Sequence, residues 1–584
     1  MTQLKYILLG SLLLTACAHT ALNNPGNQLE NTQAEAEDQS AQPDPQVETP
    51  KVLPNVELSS EILYEFLLSE IAGQRGNDML AIEGSSDLAK KTRDPRLAMR
   101  AAHIALQFGQ TDKAIEALKV WREADPSSLS ARRMLTSVFV RSGKLPEAEE
   151  ELAKLLKVDE AHSAQNFIQI YQMLAPNPDK AGALKLLRDL AQPYPRLAEA
   201  HWGVAQLAQA SGDDALALSE AKEARRLRPE WDMAISLEAL LLQKSAPQQG
   251  LDILRSYLSH YPKASEIRLQ YARALLDQKQ YKLAREEFQR LSDANPDNPD
   301  MAYAIALISL QLNDLKSAET ELKLALNKGK KDQDTVQYYL GQLSEAKKNG
   351  DEAIAYYRNV KGGESLMAAQ IRTAYLLSKR GQFAEARQLL QQAPAANDQQ
   401  RVQLVMAEAQ LLREEKKFEE AYQLLNQTRE KFPDQPDLIY DTAMMADQVG
   451  KPDVFEKLMR QLIKLKPDHA QAYNALGYGL LERNERIPEA MQLVEKALEL
   501  APDDASIMDS VGWGYYRNGK LDESVKILRR AYTASNANPE IAAHLGEVLW
   551  VRGDKQEAKK IWQDSLKENS GNEQLQTVIK KFDH

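Results

Sequence analysis

Cysteine is almost absent from this chain of 584 residues: the only one is Cys17. With no second thiol there can be no disulfide framework and no C-x-x-C redox or zinc motif, so the fold rests on its core alone. Catalytic signatures are missing too: there is no H-E-x-x-H, no G-x-S-x-G and no phosphate-binding P-loop. The eight histidines, among them His103, His162, His201 and His260, are scattered without metal-ligand spacing and read as satisfied surface or interface side chains. No Lys/Arg block interleaved with aromatics occurs. Asp+Glu exceed Lys+Arg by 84 to 73, a surface that repels nucleic-acid phosphates. The sequence therefore predicts no enzyme, no metal, no cofactor and no nucleic-acid partner.

What is present begins at the amino terminus. Lys5 supplies a positive charge, Tyr6 to Leu14 an apolar run, and Thr15 and Ala16 a small-residue site just before Cys17. This is the anatomy of an export signal, too short to cross a bilayer as a helix. Leu14-Thr15-Ala16-Cys17 resembles the lipobox of bacterial lipoproteins. That resemblance implies cleavage before Cys17 and acylation of both its thiol and the new amino terminus. Two or more acyl chains anchor stably where one does not. Ala18, in place of Asp, implies onward sorting to the outer membrane by resemblance to enteric lipoproteins.

Residues 18 to about 56 are polar, acidic and broken by Pro25, Pro43, Pro45, Pro50 and Pro54. Such a segment cannot bury enough to offset its ordering entropy and reads as a tether. As a coil it would hold the folded part on the order of 35 Å from the lipid. The expected organisation is thus a signal over 1–16, a lipidated Cys17 with its tether over 17–57, and a folded region over 58–584.

That region repeats. A small or tightly packed residue recurs at Ala81, Ala114, Ala148, Ala183, Ala217, Gly250, Ala284, Ala318, Ala353, Ala386, Ala421, Phe455, Ala490, Ser524 and Ala558, at spacings of 33 to 35 residues. Prolines at 126, 195, 229, 262, 296, 433, 467 and 502 mark breaks between units, because proline cannot continue a helix. This period, with Leu476-Gly477, Gly512-x2-Tyr515 and Leu545-Gly546 followed by Ala490, Ser524 and Ala558, resembles the tetratricopeptide repeat (TPR). The resemblance implies an all-α TPR solenoid, a right-handed superhelix of about fifteen stacked antiparallel helix pairs with a concave surface.

In that family the first helix of each pair lines the concave side. Aligning on Gly477, Gly512 and Gly546 places Asn474, Tyr478, Asp509, Trp513, Tyr516, Arg517, Glu547 and Trp550 at surface-lining positions. Trp, Tyr and Arg are the types that dominate binding hot spots. The alternative, that these aromatics pack between helices as core, stays open.

Both ends carry a closer resemblance. SEILYEFLLSEIAGQRGN and AKKTRDPRLAMRAAHIAL near the start, and DSVGWGYYRNGKLDESVKILRRAY near the end, resemble a family of long proteobacterial outer-membrane TPR lipoproteins. Its members are LbcA-like adaptors of a periplasmic carboxy-terminal processing protease. The resemblance implies a lipid-anchored adaptor facing the periplasm that delivers peptidoglycan cross-link hydrolases to that serine protease. The runner-up is a structural scaffold of an envelope export or assembly complex. One stretch departs from the family pattern, Ala81-Ile82-Glu83-Gly84-Ser85-Ser86, where a more regular apolar helix is expected.

Overall fold

The computed structural model describes residues 53–54, 56–535, 538–569 and 572–582. The export signal, Cys17 and the tether as far as residue 52 lie outside the described residues. Among those described, 31 α-helices and one short 3-10 turn, Glu160–His162, carry the chain, with no strand. Thirty helices form fifteen successive pairs, and Glu573–Phe582 follows alone. The fold is an all-α TPR solenoid.

The pairs fall into two units, one ending at Gly329 and the other starting at Lys330. The first holds the pairs from Ser60–Gln74 with Asp78–Thr92 to Pro299–Gln311 with Leu315–Asn327. The second runs from Gln333–Ala346 with Gly350–Asn359 to Pro539–Arg552 with Lys555–Glu568, and includes the last helix. Within each unit a helix packs mainly on its own partner and on the adjoining pair.

Local chemistry explains the punctuation. Many first helices open on a side-chain cap, as where Asp504 accepts from the amides of Ser506 and Ile507. In most pairs the two helices are joined by a turn with one left-handed residue. Gly143 takes it at φ 73°, and Lys279 takes the same place at φ 56°. Between pairs the predicted prolines all sit in turns. The carbonyl before Pro262 accepts from the amide of Ala264 at 3.1 Å, and that before Pro467 from His469 at 3.1 Å. Proline fits the second turn position because its φ is preset and no donor is needed there.

Every residue of the repeating small position is buried, and each lies on the second helix of its pair. Two of the three exceptions to alanine there, Ser524 and Phe455, have compensations. Ser524 donates its hydroxyl to the Gly512 carbonyl at 2.6 Å, which satisfies the polar group inside the pair. Phe455, bulky where its counterparts are small, lies so close to Gly479 that a Cβ there would stand 3.0 Å from the ring.

The stretch from Ala81 to Ser86 departs from the family pattern without breaking the first pair. It lies inside one continuous helix, Asp78–Thr92, with Ala81, Ile82, Ser85 and Ser86 buried. Ser85 donates back to the Ala81 carbonyl, so its hydroxyl is satisfied within the helix.

Candidate protein-binding face

Three successive first helices of the second unit, Ala470–Glu482, Ala505–Arg517 and Pro539–Arg552, hold all eight residues named from the sequence. Three of them contact one histidine, and Tyr516 and Glu547 join the same cluster through Trp513. His544 Nδ1 bonds Asp509 Oδ2 at 2.8 Å, both groups being buried. The Trp513 ring stacks on the imidazole with centroids 4.3 Å apart. Tyr478 tilts against the same ring at 6.4 Å, and Tyr516 against Trp513 at 4.9 Å.

The polar ends of this cluster are tied down as well. Trp513 donates its Nε1–H to Glu482 Oε1 at 2.8 Å, linking the helix to the one before. Tyr516 donates its hydroxyl to Glu547 Oε1 at 3.4 Å, linking it to the one after. Lys581 of the last helix completes the chain with a 3.1 Å contact to Glu547. Burial alone would lower the His544 pKa, but the charge and hydrogen bond of Asp509, with Glu540 and Glu482, outweigh it and raise it. Burial also pushes the Tyr478 and Tyr516 hydroxyls up, aided by Glu482 at the first and Glu547 at the second.

The remaining three named residues stand apart from the histidine. Asn474 keeps its Oδ1 buried with no partner among the described residues. Arg517 is half-buried beside Tyr516. Trp550 faces the end of the array, where it stacks on Trp562 and tilts on Phe582, each at 5.9 Å, with Lys555 over its ring at 5.1 Å. Trp513 is only 7% exposed. It therefore forms the floor of the face, while Glu482, Arg517 and the edges of the two tyrosines supply what a partner can touch.

Sequence reasoning missed His544 and Glu482. Glu482 occupies the same register in its helix as Arg517 does in the next, so the pattern could have found it. Nothing in the pattern marks His544, whose position is not surface-lining in the family. The histidines named from the sequence do find partners nearby: His162 with Asp159 and His201 with Glu220, each at 2.6 Å, and His260 with the Ser256 carbonyl at 2.9 Å. His103 is exposed.

Comparison with known proteins now bears on the family. Family profiles described as tetratricopeptide repeat match residues 99–165, 241–308, 275–343, 371–436, 440–505 and 512–573. A Pseudomonas aeruginosa protein described as TPR repeat-containing protein PA4667 is 32% identical over 491 residues, 84% of this chain and 82% of its own length. The chain belongs to the tetratricopeptide repeat family.

Solved structures with some likeness to this TPR chain include the Cut9–Hcn1 hetero-tetramer of the APC/C, at 16% identity over 84% of this chain and 97% of that one, with a TM-score of 0.30. Another is Naa15/Naa10 bound to HypK, at 13% identity over 89% and 96%, with a TM-score of 0.32. MamA from Desulfovibrio magneticus RS-1 matches at 20% identity over 29% and 97%, with a TM-score of 0.26.

A cleft of about 500 Å³ lies upstream in the same unit, between Asp398–Glu414 and Pro436–Gln448. Arg413, Tyr440, Asp441 and Met444 line it. Burial raises the Asp441 pKa against the opposing charge of Arg413. Among the described residues, no three His, Cys, Asp or Glu side chains gather as a metal would require, and no helix is long and apolar enough to cross a membrane. TPR repeats are protein-binding scaffolds, in general without catalysis, and protein partners follow from that.

Proposed function

We propose that this TPR protein is a lipid-anchored adaptor of the outer membrane, facing the periplasm, that binds a carboxy-terminal processing protease and promotes its degradation of peptidoglycan cross-link hydrolases. The observation that carries the reading is the build of the candidate face. In an aromatic floor of Trp513, Tyr516 and Tyr478, hydrogen bonds to neighbouring helices fix the first two and the His544 ring packs on the third, so little ordering cost remains when a partner docks on its Glu482 and Arg517 rim. The sequence around Cys17 supports the anchor, and the similarity of both chain ends to adaptor lipoproteins supports the partner. The adaptor does no chemistry. Holding enzyme and substrate on one array raises their effective concentration, and the nucleophile stays with the protease.

The test is reconstitution. The chain beginning at Ala18 is mixed with the protease and a cross-link hydrolase, and hydrolase cleavage is followed with time. Acceleration by the chain, reduced by the pair Tyr516→Ala and Arg517→Ala, is the expected outcome. No complex and no acceleration would overturn the reading, and capture of export or assembly subunits in its place would make the chain an envelope scaffold. Anchoring is tested separately, by palmitate incorporation that Cys17→Ser abolishes.

A further inference from the structure

Nine of the sixteen exposed large hydrophobic side chains among the described residues lie between Leu53 and Met79. Four of them form one stripe on the first helix, Ser60–Gln74: Leu63 (44% exposed), Tyr64 (65%), Leu67 (48%) and Ile71 (46%). Their spacing is that of one helical face. Inside the array this side of a first helix is covered by the second helix of the pair before, as Asp78–Thr92 covers Pro95–Gln107. For Ser60–Gln74 no described helix precedes. The other end of the array is finished differently, since Glu573–Phe582 turns Glu573, Thr577, Lys580 and Lys581 to solvent. Repeat arrays need such a polar outer face at their ends to remain soluble. The first helix lacks one.

The possible covers differ in chemistry. Residues 18–52 of the chain itself offer only Leu22, Leu29, Val47 and Val52 as large apolar side chains, without helical spacing. A lipid surface is disfavoured, because helices lying on membranes are flanked by Lys and Arg. This stripe is flanked by Glu57, Glu61, Glu65 and Glu70, which with Lys91 and Arg100 paired to the last three leave no cationic excess beside it. The stripe does complement itself. Turned antiparallel about Leu67, it sets Leu63 against the partner's Ile71 and Ser60 against the partner's Gln74. The same rotation carries exposed Arg75 of each copy to the other's Ser59, between Glu57 and Glu61. We propose that this face is a self-association surface on which the same helix of a second copy packs antiparallel, with the two Leu67 side chains meeting at the two-fold axis. Two 15-residue helices pressed along their length bury on the order of 1,000 Å² in total, at the low end for stable interfaces, so the dimer forms reversibly. The inference is independent of the adaptor reading.

Sedimentation velocity of the chain beginning at Ala18, over about 1 to 100 μM, tests it. The expected result is a concentration-dependent shift to twice the monomer mass. Leu67→Glu sets two carboxylates against each other on the axis and returns the protein to monomer, with its helical circular dichroism unchanged. Because the form beginning at Ala18 has no cysteine, Leu67→Cys gives a disulfide-linked dimer on mild oxidation, whereas Ser127→Cys, at an exposed site elsewhere, does not. A wild-type monomer at every concentration overturns the proposal, as does a dimer that survives Leu67→Glu. Flotation of a monomer with phosphatidylcholine–phosphatidylglycerol vesicles also overturns it and assigns the stripe to lipid.

Discussion

The Arg268 guanidinium donates to the carbonyl of Pro262, 2.7 Å away, across the turn that precedes its own helix. It also pairs with Glu287 on the second helix of the pair, so one side chain fastens turn, first helix and second helix together. Arg132 does the same with the Pro126 carbonyl at 3.2 Å and Glu151 at 2.9 Å. His201 repeats it with the Pro195 carbonyl at 3.2 Å and Glu220 at 2.6 Å.

Arg268→Ala leaves the buried Glu287 carboxylate with only Arg290, which is more exposed. A loss of about 2–3 kcal/mol is expected for that pair, somewhat under the usual cost of orphaning a buried charge. Hydrogen exchange by mass spectrometry should show faster exchange concentrated over residues 262–291, with distant pairs unchanged, because repeat stability is local.

His201 makes its bracket dependent on pH. The hydrogen bond to Glu220, against the cost of burial, raises its pKa above the ordinary 6.5. A raised folded pKa means the stabilisation is complete below pH 6.5 and is lost as the pH climbs through the folded value. His201→Arg, which copies Arg132 and Arg268, should retain protection of this pair above the raised His201 pKa, where the wild type loosens. Exchange rates of residues 195–220 measured at two pH values check this.

His544 should report its own titration through Trp513. The stacked imidazole carries a raised pKa, so it is protonated below pH 6.5 and loses its proton only above it. A protonated imidazole against an indole quenches its emission. Tryptophan fluorescence is therefore expected to rise as the pH passes upward through the His544 pKa, and His544→Gln should abolish that step.

Gly546 has no room for a side chain, since a Cβ there would fall inside the Trp562 ring. Gly546→Ala should destabilise the last pair by about 1–3 kcal/mol through overpacking. Near-ultraviolet circular dichroism is the readout, because Trp562 stacks on both Trp550 and Phe582.

Lys279 is exposed and left-handed at φ 56°. Lys279→Gly should stabilise its pair by about 0.5–1 kcal/mol, because glycine takes this conformation without strain. A higher urea midpoint with an unchanged slope would confirm it.

The fifteen helix pairs, their register and their proline turns were legible from the sequence by itself. Each depends on residues that act locally or on the adjoining helix: a small side chain where two helices close, a proline where no donor is needed. Family positions placed the eight named residues on three successive first helices, which the structure packs against one another. The tertiary structure alone decided which partners those side chains take. Arg268 and Glu287 are nineteen residues apart on different helices, a spacing that Arg132 with Glu151 and His201 with Glu220 repeat in register, but only the structure shows that these side chains meet. His544 became the centre of the aromatic cluster because three successive helices close around it, which depends on how pairs stack rather than on its neighbours in sequence. Trp550 turned to the end cluster because a last helix happens to offer Phe582. The uncovered stripe on Ser60–Gln74 likewise reads in sequence as an ordinary buried helix. Only the absence of a described helix in front of it leaves Leu63, Leu67 and Ile71 in water.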